Sequence, residues 1–189
     1  FDAQGFVSMF EKLQQASRLN DNGSFPYLRS HPMTTERISD AQALQQLLPQ
    51  RVAVALTPSH AMMSARAQVL ANPGIDVLRT LSAQATASTF ATWPQGRQVG
   101  VLYGAVMSEM KQRNFSQARQ YLGRMQAMSG LDAHAQRVMR LLAAELALAA
   151  GDAMQAIAVL EVKTTPLTGK DRATRIQLAQ SRVATHKPA

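Results

Sequence analysis

The sequence from residue 58 onward is divided into helix-forming stretches by short breaks. The stretches are rich in alanine, leucine, glutamine and arginine, which favour helices, and aromatic residues make up only 5% of the chain. The breaks contain glycine, proline, asparagine or aspartate, which end or cap helices. Because the breaks are short, neighbouring helices must run antiparallel. The pattern predicts helices near residues 58–71, 74–90, 96–113, 115–128, 132–150, 152–163 and 168–184.

Two of these predicted helix pairs resemble each other. Residues 103–125 and 141–163 align at an offset of 38, and residues 72–81 give an earlier echo at an offset of 41. A turn, a small residue and then a large apolar residue recur, as in tetratricopeptide hairpins, where the small residue lets the helices approach closely. We predict degenerate repeats, the alternative being a generic antiparallel bundle. The matched residues are Asn114 with Asp152, Phe115 with Ala153, Ala118 with Ala156 and Leu122 with Leu160, and Val77 and Leu81 take these places in the echo.

The first 48 residues form a different element. Residues 1–19 have apolar side chains at helical spacing and predict a helix with Asp2 as its N-cap. A loop rich in asparagine, glycine, serine and proline follows over residues 20–33, and a second helix follows with Thr34 as its N-cap and is ended by Pro49. The predicted buried faces are Phe6, Met9, Phe10, Leu13 and Ala16 on the first helix, and Ile38, Ala41, Leu44 and Leu47 or Leu48 on the second.

The net charge of +8 is distributed unevenly. Residues 1–50 hold four basic and five acidic side chains, whereas residues 51–189 hold sixteen basic and seven acidic ones. A basic surface can bind nucleic acid, anionic lipid or an acidic protein. The basic residues here are scattered, without blocks or interleaved aromatics, which disfavours nucleic acid as the partner. We predict an all-α chain with an N-terminal element at 1–48, an extended linker at 49–57 and a helical-repeat domain at 58–189.

No complete catalytic motif is found in the sequence. It contains no cysteine, no His-Glu-x-x-His, no glycine-rich phosphate loop and no G-x-S-x-G. The longest apolar run, residues 141–150, is too short to cross a bilayer, so we predict no transmembrane segment here. Of the four histidines, His60 and His134 are predicted on the surface and His186 in a polar tail. The ten methionines could line an adaptable peptide groove, but we prefer the interpretation that they fill gaps in the core.

His31 and Arg37 are the residues that packing does not explain. Pro32 keeps His31 out of a helix, where its imidazole can bind a metal, donate to a substrate or bond a backbone group. Arg37 lies in the first turn of a predicted helix, where the dipole disfavours a cation. This position favours a buried carboxylate partner for Arg37 over simple exposure.

The spacing of His31-Pro32 and Arg37-Ile38 resembles the "HPxxxxRI" element of zinc metallopeptidases of the HtpX and CAAX-prenyl-protease type. The opening "FDAQGFVSMFEKL" is similar to the helix that follows the third zinc ligand in that family, with Ala3 and Gly5 as small departures. With helical repeats behind it, the chain resembles the C-terminal part of BepA-like (YfgC-like) periplasmic metallopeptidases with tetratricopeptide repeats. The chain opens on Phe1 without an initiator methionine, and we expect it to be a piece of a longer protein.

The resemblance implies a zinc metalloendopeptidase whose His-Glu-x-x-His and third ligand, a Glu, precede Phe1, so that this segment alone is inactive. It implies that His31 lies near the metal or substrate and that Arg37 anchors the element to the catalytic core. It further implies a periplasmic, membrane-associated setting. The implied partners are misassembled or unfolded proteins and the outer-membrane assembly machinery. The alternatives from the residues are a free-standing helical-repeat adaptor and a basic solenoid that binds nucleic acid.

Overall fold

The computed structural model describes residues 3–17, 34–47, 56–161 and 172–185, and it divides the chain into two compact units, residues 1–55 and 56–189. The described residues are helical and form no strand, which confirms the all-α fold class and the packing of helices in pairs. The domain limits proposed from the sequence stay a prediction. The α-helices are α1 (Ala3–Ser17), α2 (Thr34–Leu47), α3 (Pro58–Leu70), α4 (Ile75–Ala83), α5 (Gln95–Lys111), α6 (Phe115–Gln126), α7 (Ala133–Ala149), α8 (Ala153–Glu161) and α9 (Arg172–Thr185).

The first unit contains α1 and α2, which pack against each other. Val7 and Ala41 are its buried apolar side chains among the described residues. Met9 and Leu44 were predicted to be buried and are exposed, so those two assignments are wrong. Leu47 is exposed as well, and its alternative, Leu48, lies outside the described residues. Phe10 on α1 and Ile38 on α2 are partly buried. Asp2, the loop at 20–33 and the segment 48–55 lie outside the described residues.

The second unit repeats one helix–turn–helix geometry. Asn72, Arg113 and Gly151 follow the first helix of a pair and adopt left-handed backbone conformations, with φ of 55°, 62° and 84°. After α5 the amide of Asn114 donates to the carbonyl of Glu109 at 2.9 Å, and after α7 the amide of Asp152 donates to that of Ala147 at 2.8 Å. These bonds satisfy carbonyls that a helix end leaves free. The backbone therefore follows the offset of 38 that the side-chain pattern predicts.

The register predicted for the first repeat, residues 72–81, is wrong by one residue. Leu78 and Ser82 are buried at the places assigned to Val77 and Leu81, and Val77 is half exposed. The turn after α3 contains Pro73 as an additional residue, so α4 begins one position later than the alignment assumed. The expected close approach holds in the later pairs, where Ala118 and Ala156 are fully buried.

The helix predicted over residues 74–90 ends at Ala83. Two short 3-10 helices, Gln84–Thr86 and Phe90–Thr92, take the place of its second half and the residues that follow. The hydroxyls of Thr86 and Thr92 donate to the carbonyls of Ala83 and Thr89, at 3.0 and 2.8 Å. Threonine and serine side chains compete with the helical ladder in this way, and the stretch "ATASTFAT" concentrates them.

The helices α3 and α5 are in unusually close contact. Gly96, Gly100 and Gly104 lie one turn apart on α5, and a Cβ atom added at Gly100 would lie 2.8 Å from the Cβ of Ala61. At Gly96 an added Cβ would collide with the carbonyl oxygen of Leu56. Glycine is therefore required at Gly96, where the backbone before α3 approaches, and at Gly100, where α3 itself approaches too closely for a side chain.

The core of the second unit extends from α3 to α7. Its largest fully buried side chains include Tyr103, Met62, Leu102 and Met125. The preferred interpretation of the methionines is confirmed for Met62, Met107 and Met125, which are buried in this cluster, and is wrong for Met63 and Met154, which are exposed. Alanine and leucine side chains of α7 and α8 form a second, smaller cluster against which Leu178 of α9 packs. The described part of the chain contains no helix that is both long and apolar enough to cross a membrane.

The glycine contact predicts a specific stability effect. Gly100→Ala places a methyl group against Ala61 and should lower the free energy of unfolding by about 1–3 kcal/mol, the usual cost of overpacking. Gly123→Ala is the matched control, because Gly123 is an exposed helical residue with nothing within 4 Å of an added Cβ. That control should raise stability by about 0.5–1 kcal/mol through helix propensity. Urea titration measures both values, and equal effects would contradict the close contact.

Candidate functional site

Of the two residues singled out from the sequence, Arg37 is within the described structure. Arg37 is exposed on α2, and its guanidinium carbon lies 5.6 Å from the ring centroid of Phe10 on α1. Burial of Arg37 is therefore not seen within the described residues, and its expected carboxylate partner stays a prediction. His31 lies outside the described residues, as does His186, and a role for His31 and Arg37 near an active site stays a prediction. His60 and His134 are exposed on α3 and α7, as predicted.

The described residues contain no group of three His, Cys, Asp or Glu side chains that could hold a metal ion. They therefore offer no donor set for the zinc ion that the resemblance implies. Because zinc sites need three or four protein ligands, no zinc-dependent step can be derived from these residues.

A groove opens between α3 and α4, with α5 as its floor. Both α3 and α4 pack principally on α5 rather than on each other, whereas the helices of the next two pairs pack together. Ser82 on α4 donates its hydroxyl to the buried carboxylate of Glu109 on α5, which holds α4 in this position. The groove has a volume of about 200 Å³. Because α3 and α4 do not pack on each other, a groove remains between them, and the helices of the next two pairs leave no such space.

The floor of the groove is made of small residues. Gly100 and Gly104 of α5 and Ala61 and Ala65 of α3 line its base, and Val101 adds an apolar side chain. An added Cβ at Gly104 would lie 3.4 Å from the Cβ of Ala65. The absence of side-chain bulk in this contact is what gives the groove its depth.

Polar side chains line the walls of the groove. His60, Ser64 and Gln68 follow one another at a spacing of one helical turn on α3, and Gln84 lies opposite them after α4. These four side chains line the open space of the groove. Arg97 of α5 also lines the groove and is the one arginine among its lining residues in the described structure.

The position of Arg97 is set by aromatic contacts. Its guanidinium carbon lies 4.0 Å from the ring centroid of Trp93, close enough for a cation–π interaction. Trp93 is in turn 5.8 Å from the ring centroid of Phe90, and its carbonyl accepts a 2.7 Å hydrogen bond from the Gln98 side chain. Arg124 of α6 covers the ring of Phe90 at 4.8 Å. The loop between α4 and α5 therefore holds Arg97 in a defined place.

A second polar cluster connects three helices across the repeat. Arg66 of α3 donates to both carboxylate oxygens of Glu145 on α7, at 2.7 and 3.3 Å, and to the hydroxyl of Tyr103 on α5 at 3.1 Å. Arg66, Met107 and Glu145 are spaced by 41 and 38 residues, the same spacing as the turn residues Asn72, Arg113 and Gly151. They therefore occupy equivalent positions in successive helix pairs. The ion pair thus joins the first and third pairs across the second.

The protonation states in this cluster follow from its geometry. The hydrogen bond to Glu145 raises the pKa of Arg66 above its ordinary value, so the guanidinium stays charged. Burial raises the pKa of the Tyr103 hydroxyl above its ordinary value. Tyr103 is therefore neutral at physiological pH and accepts a hydrogen bond from Arg66. Arg66 and Glu145 are each about one third exposed. We call the cluster of Arg66, Tyr103 and Glu145 the clamp, because it holds α3, α5 and α7 together.

Sequence reasoning missed both the groove and the clamp. The spacing of Gly96, Gly100 and Gly104 was the available signal for the close α3–α5 contact that creates the floor. No comparable signal marks the clamp, because Arg66 and Glu145 are 79 residues apart.

Comparison with protein-family models, with curated proteins and with solved structures finds no match for this chain.

The clamp predicts a difference between two ion pairs. Glu145→Gln removes the charge that Arg66 contacts in a partly buried site and should lower the free energy of unfolding by about 1 kcal/mol, with a smaller loss at high salt. Glu161→Gln is the matched control, since Glu161 pairs with Arg182 at 3.0 Å and both side chains are at least half exposed. The control should cost less than about 0.5 kcal/mol. Equal losses in chemical denaturation would show that Arg66 and Glu145 are not a clamp.

Proposed function

We propose that the second unit is a protein-binding module of helical repeats. The observation that supports this function is the groove between α3 and α4, which is open and lined by both apolar and polar groups. Stacked helix pairs commonly serve as extended binding surfaces, because each pair contributes to a continuous face. The recurrence of the turn at Asn72, Arg113 and Gly151 supports the repeat architecture.

We further propose that this module serves a zinc metalloendopeptidase of the HtpX and CAAX-prenyl-protease type. This step rests on His31-Pro32 and Arg37-Ile38, and on the similarity of the opening helix to the family's sequence. In this proposal the zinc ligands belong to a part of the parent protein before Phe1. The module would hold misassembled or unfolded outer-membrane proteins, and contact their assembly machinery, in the periplasm.

The alternative, a free-standing repeat adaptor, shares the binding function but lacks the peptidase. The coding sequence upstream of Phe1 separates the two proposals. A His-Glu-x-x-His followed by a further glutamate supports the peptidase, and a start codon without them supports the adaptor.

The binding function is tested with an unfolded polypeptide as the probe. Reduced and carboxymethylated α-lactalbumin, labelled with fluorescein, should bind the full chain with a dissociation constant in the micromolar range, measured by fluorescence anisotropy. The disulfide-bonded, folded form of the same protein is the control and should bind at least about tenfold more weakly, because its segments are not free to enter a groove. No binding of the unfolded probe would contradict the proposed function.

A further inference from the structure

The side chains on the walls of the α3–α4 groove have hydrogen-bonding capacity that the described structure does not use. Ser64, Gln68 and Gln84 line the groove, and their side chains have no hydrogen-bond partner among the described residues. A glutamine amide offers both donors and an acceptor, as does each peptide unit of an extended chain. These wall side chains can therefore form hydrogen bonds with the backbone of a bound peptide, whatever the side chains of that peptide are.

The length of the groove suits a short extended segment. His60 and Gln68, which mark its two ends along α3, are eight residues apart, which is about 12 Å of helix. An extended chain advances about 3.3 Å per residue, so about four residues span this distance. The floor of Gly100, Gly104, Ala61 and Ala65 leaves room for a backbone to approach closely.

The electrostatics of the groove favour an acidic occupant. Residues 56–161 contain nine Lys or Arg and six Asp or Glu side chains. No acidic side chain belongs to the groove lining in the described structure. All six carboxylates interact elsewhere within the unit, so none of them neutralises Arg97. Their contacts are Asp76 with Arg79, Glu109 with Ser82, Asp132 and Asp152 with backbone amides at the starts of α7 and α8, Glu145 with Arg66, and Glu161 with Arg182.

Arg97 is suited to receive a carboxylate at the groove. Its stacking on Trp93 at 4.0 Å restricts the guanidinium plane, which lowers the conformational entropy lost on binding. No hydrogen bond or ion pair among the described residues uses its N–H groups, and guanidinium N–H groups bind carboxylates in a bidentate manner.

We propose that the α3–α4 groove binds an extended peptide segment of about four residues that carries an acidic side chain, and that Arg97 pairs with its carboxylate. Gln68, Gln84 and Ser64 bond the backbone of the segment, and the glycine and alanine floor accepts its small side chains. This inference rests on the proposed function, since it names the site and the chemistry of the segment that a protein-binding module would take.

The test uses the full chain and two synthetic octapeptides labelled with fluorescein. One contains alternating glutamate and alanine, and the other has glutamine in place of every glutamate. The acidic peptide should bind more tightly than its neutral analogue. Arg97→Gln should weaken binding of the acidic peptide by about tenfold and leave the neutral peptide unchanged. Ser64→Trp, which places a large side chain on an exposed position of the wall, should weaken both peptides.

Arg119→Gln is the matched control, because Arg119 is exposed on α6 and does not line the groove. It removes the same charge and should change the affinity by less than about twofold, the size expected from long-range screening. Equal losses for Arg97→Gln and Arg119→Gln would overturn the site and indicate general attraction to a basic surface. If the acidic and the neutral peptide bind the unaltered chain equally tightly, the proposed preference for an acidic peptide is wrong.

Two further arms separate this site from the broader function. In the first, unfolded lactalbumin is titrated into Arg97→Gln and Ser64→Trp. If both variants bind it as tightly as the unaltered chain does, the groove is not the binding site, although the protein-binding function still holds. A 20-base-pair DNA duplex and vesicles of phosphatidylglycerol test the other anionic partners. Tighter binding to either of them than to the acidic peptide, with dependence on Arg97, would overturn a peptide as the occupant.

Discussion

The close contact between α3 and α5 is the constraint on which the rest of the second unit depends. The contact is possible because Gly96, Gly100 and Gly104 present no side chains toward α3. Two helices that approach this closely exclude a third from between them, so α4 packs beside α5 and away from α3. The first helix pair is thereby opened, whereas the helices of the next two pairs pack on each other around Ala118 and Ala156.

The same contact brings polar groups from distant parts of the chain within reach of each other. Arg66 on α3 is carried over α5 to Glu145 on α7, and Tyr103 fills the space beneath the ion pair. On the other side of α3, the glycine contact becomes the floor of the groove, and Arg97 lies at its margin over Trp93. Clamp and groove are two consequences of one packing arrangement, which is why a change at the glycines should affect both.

The local features of the fold could be predicted from sequence, and the site could not. Breaks such as Asn114 and Gly151 act through their own backbone preferences, so the helix pairs and the offset of 38 were evident. The extra residue Pro73 and the threonine-rich stretch after Ala83 are local signals that the predictions did not use, whereas the exposure of Leu44 depends on how neighbouring elements pack. The groove depends on where α4 lies relative to α3, a tertiary relation that periodicity does not carry. The most suggestive stretch of the sequence, around His31, lies outside the described residues.

The central claim is that the opened first helix pair is a binding site. Two-dimensional amide NMR of the isotope-labelled chain, titrated with the acidic octapeptide, tests it most directly. The account predicts that the largest shift changes fall on residues lining the groove, including Ala61, Ser64, Gln68, Gln84 and Gly104, with the indole N–H of Trp93 responding as Arg97 engages the carboxylate. Shift changes spread over the arginines of α6 and α7, with the groove unaffected, would contradict the account.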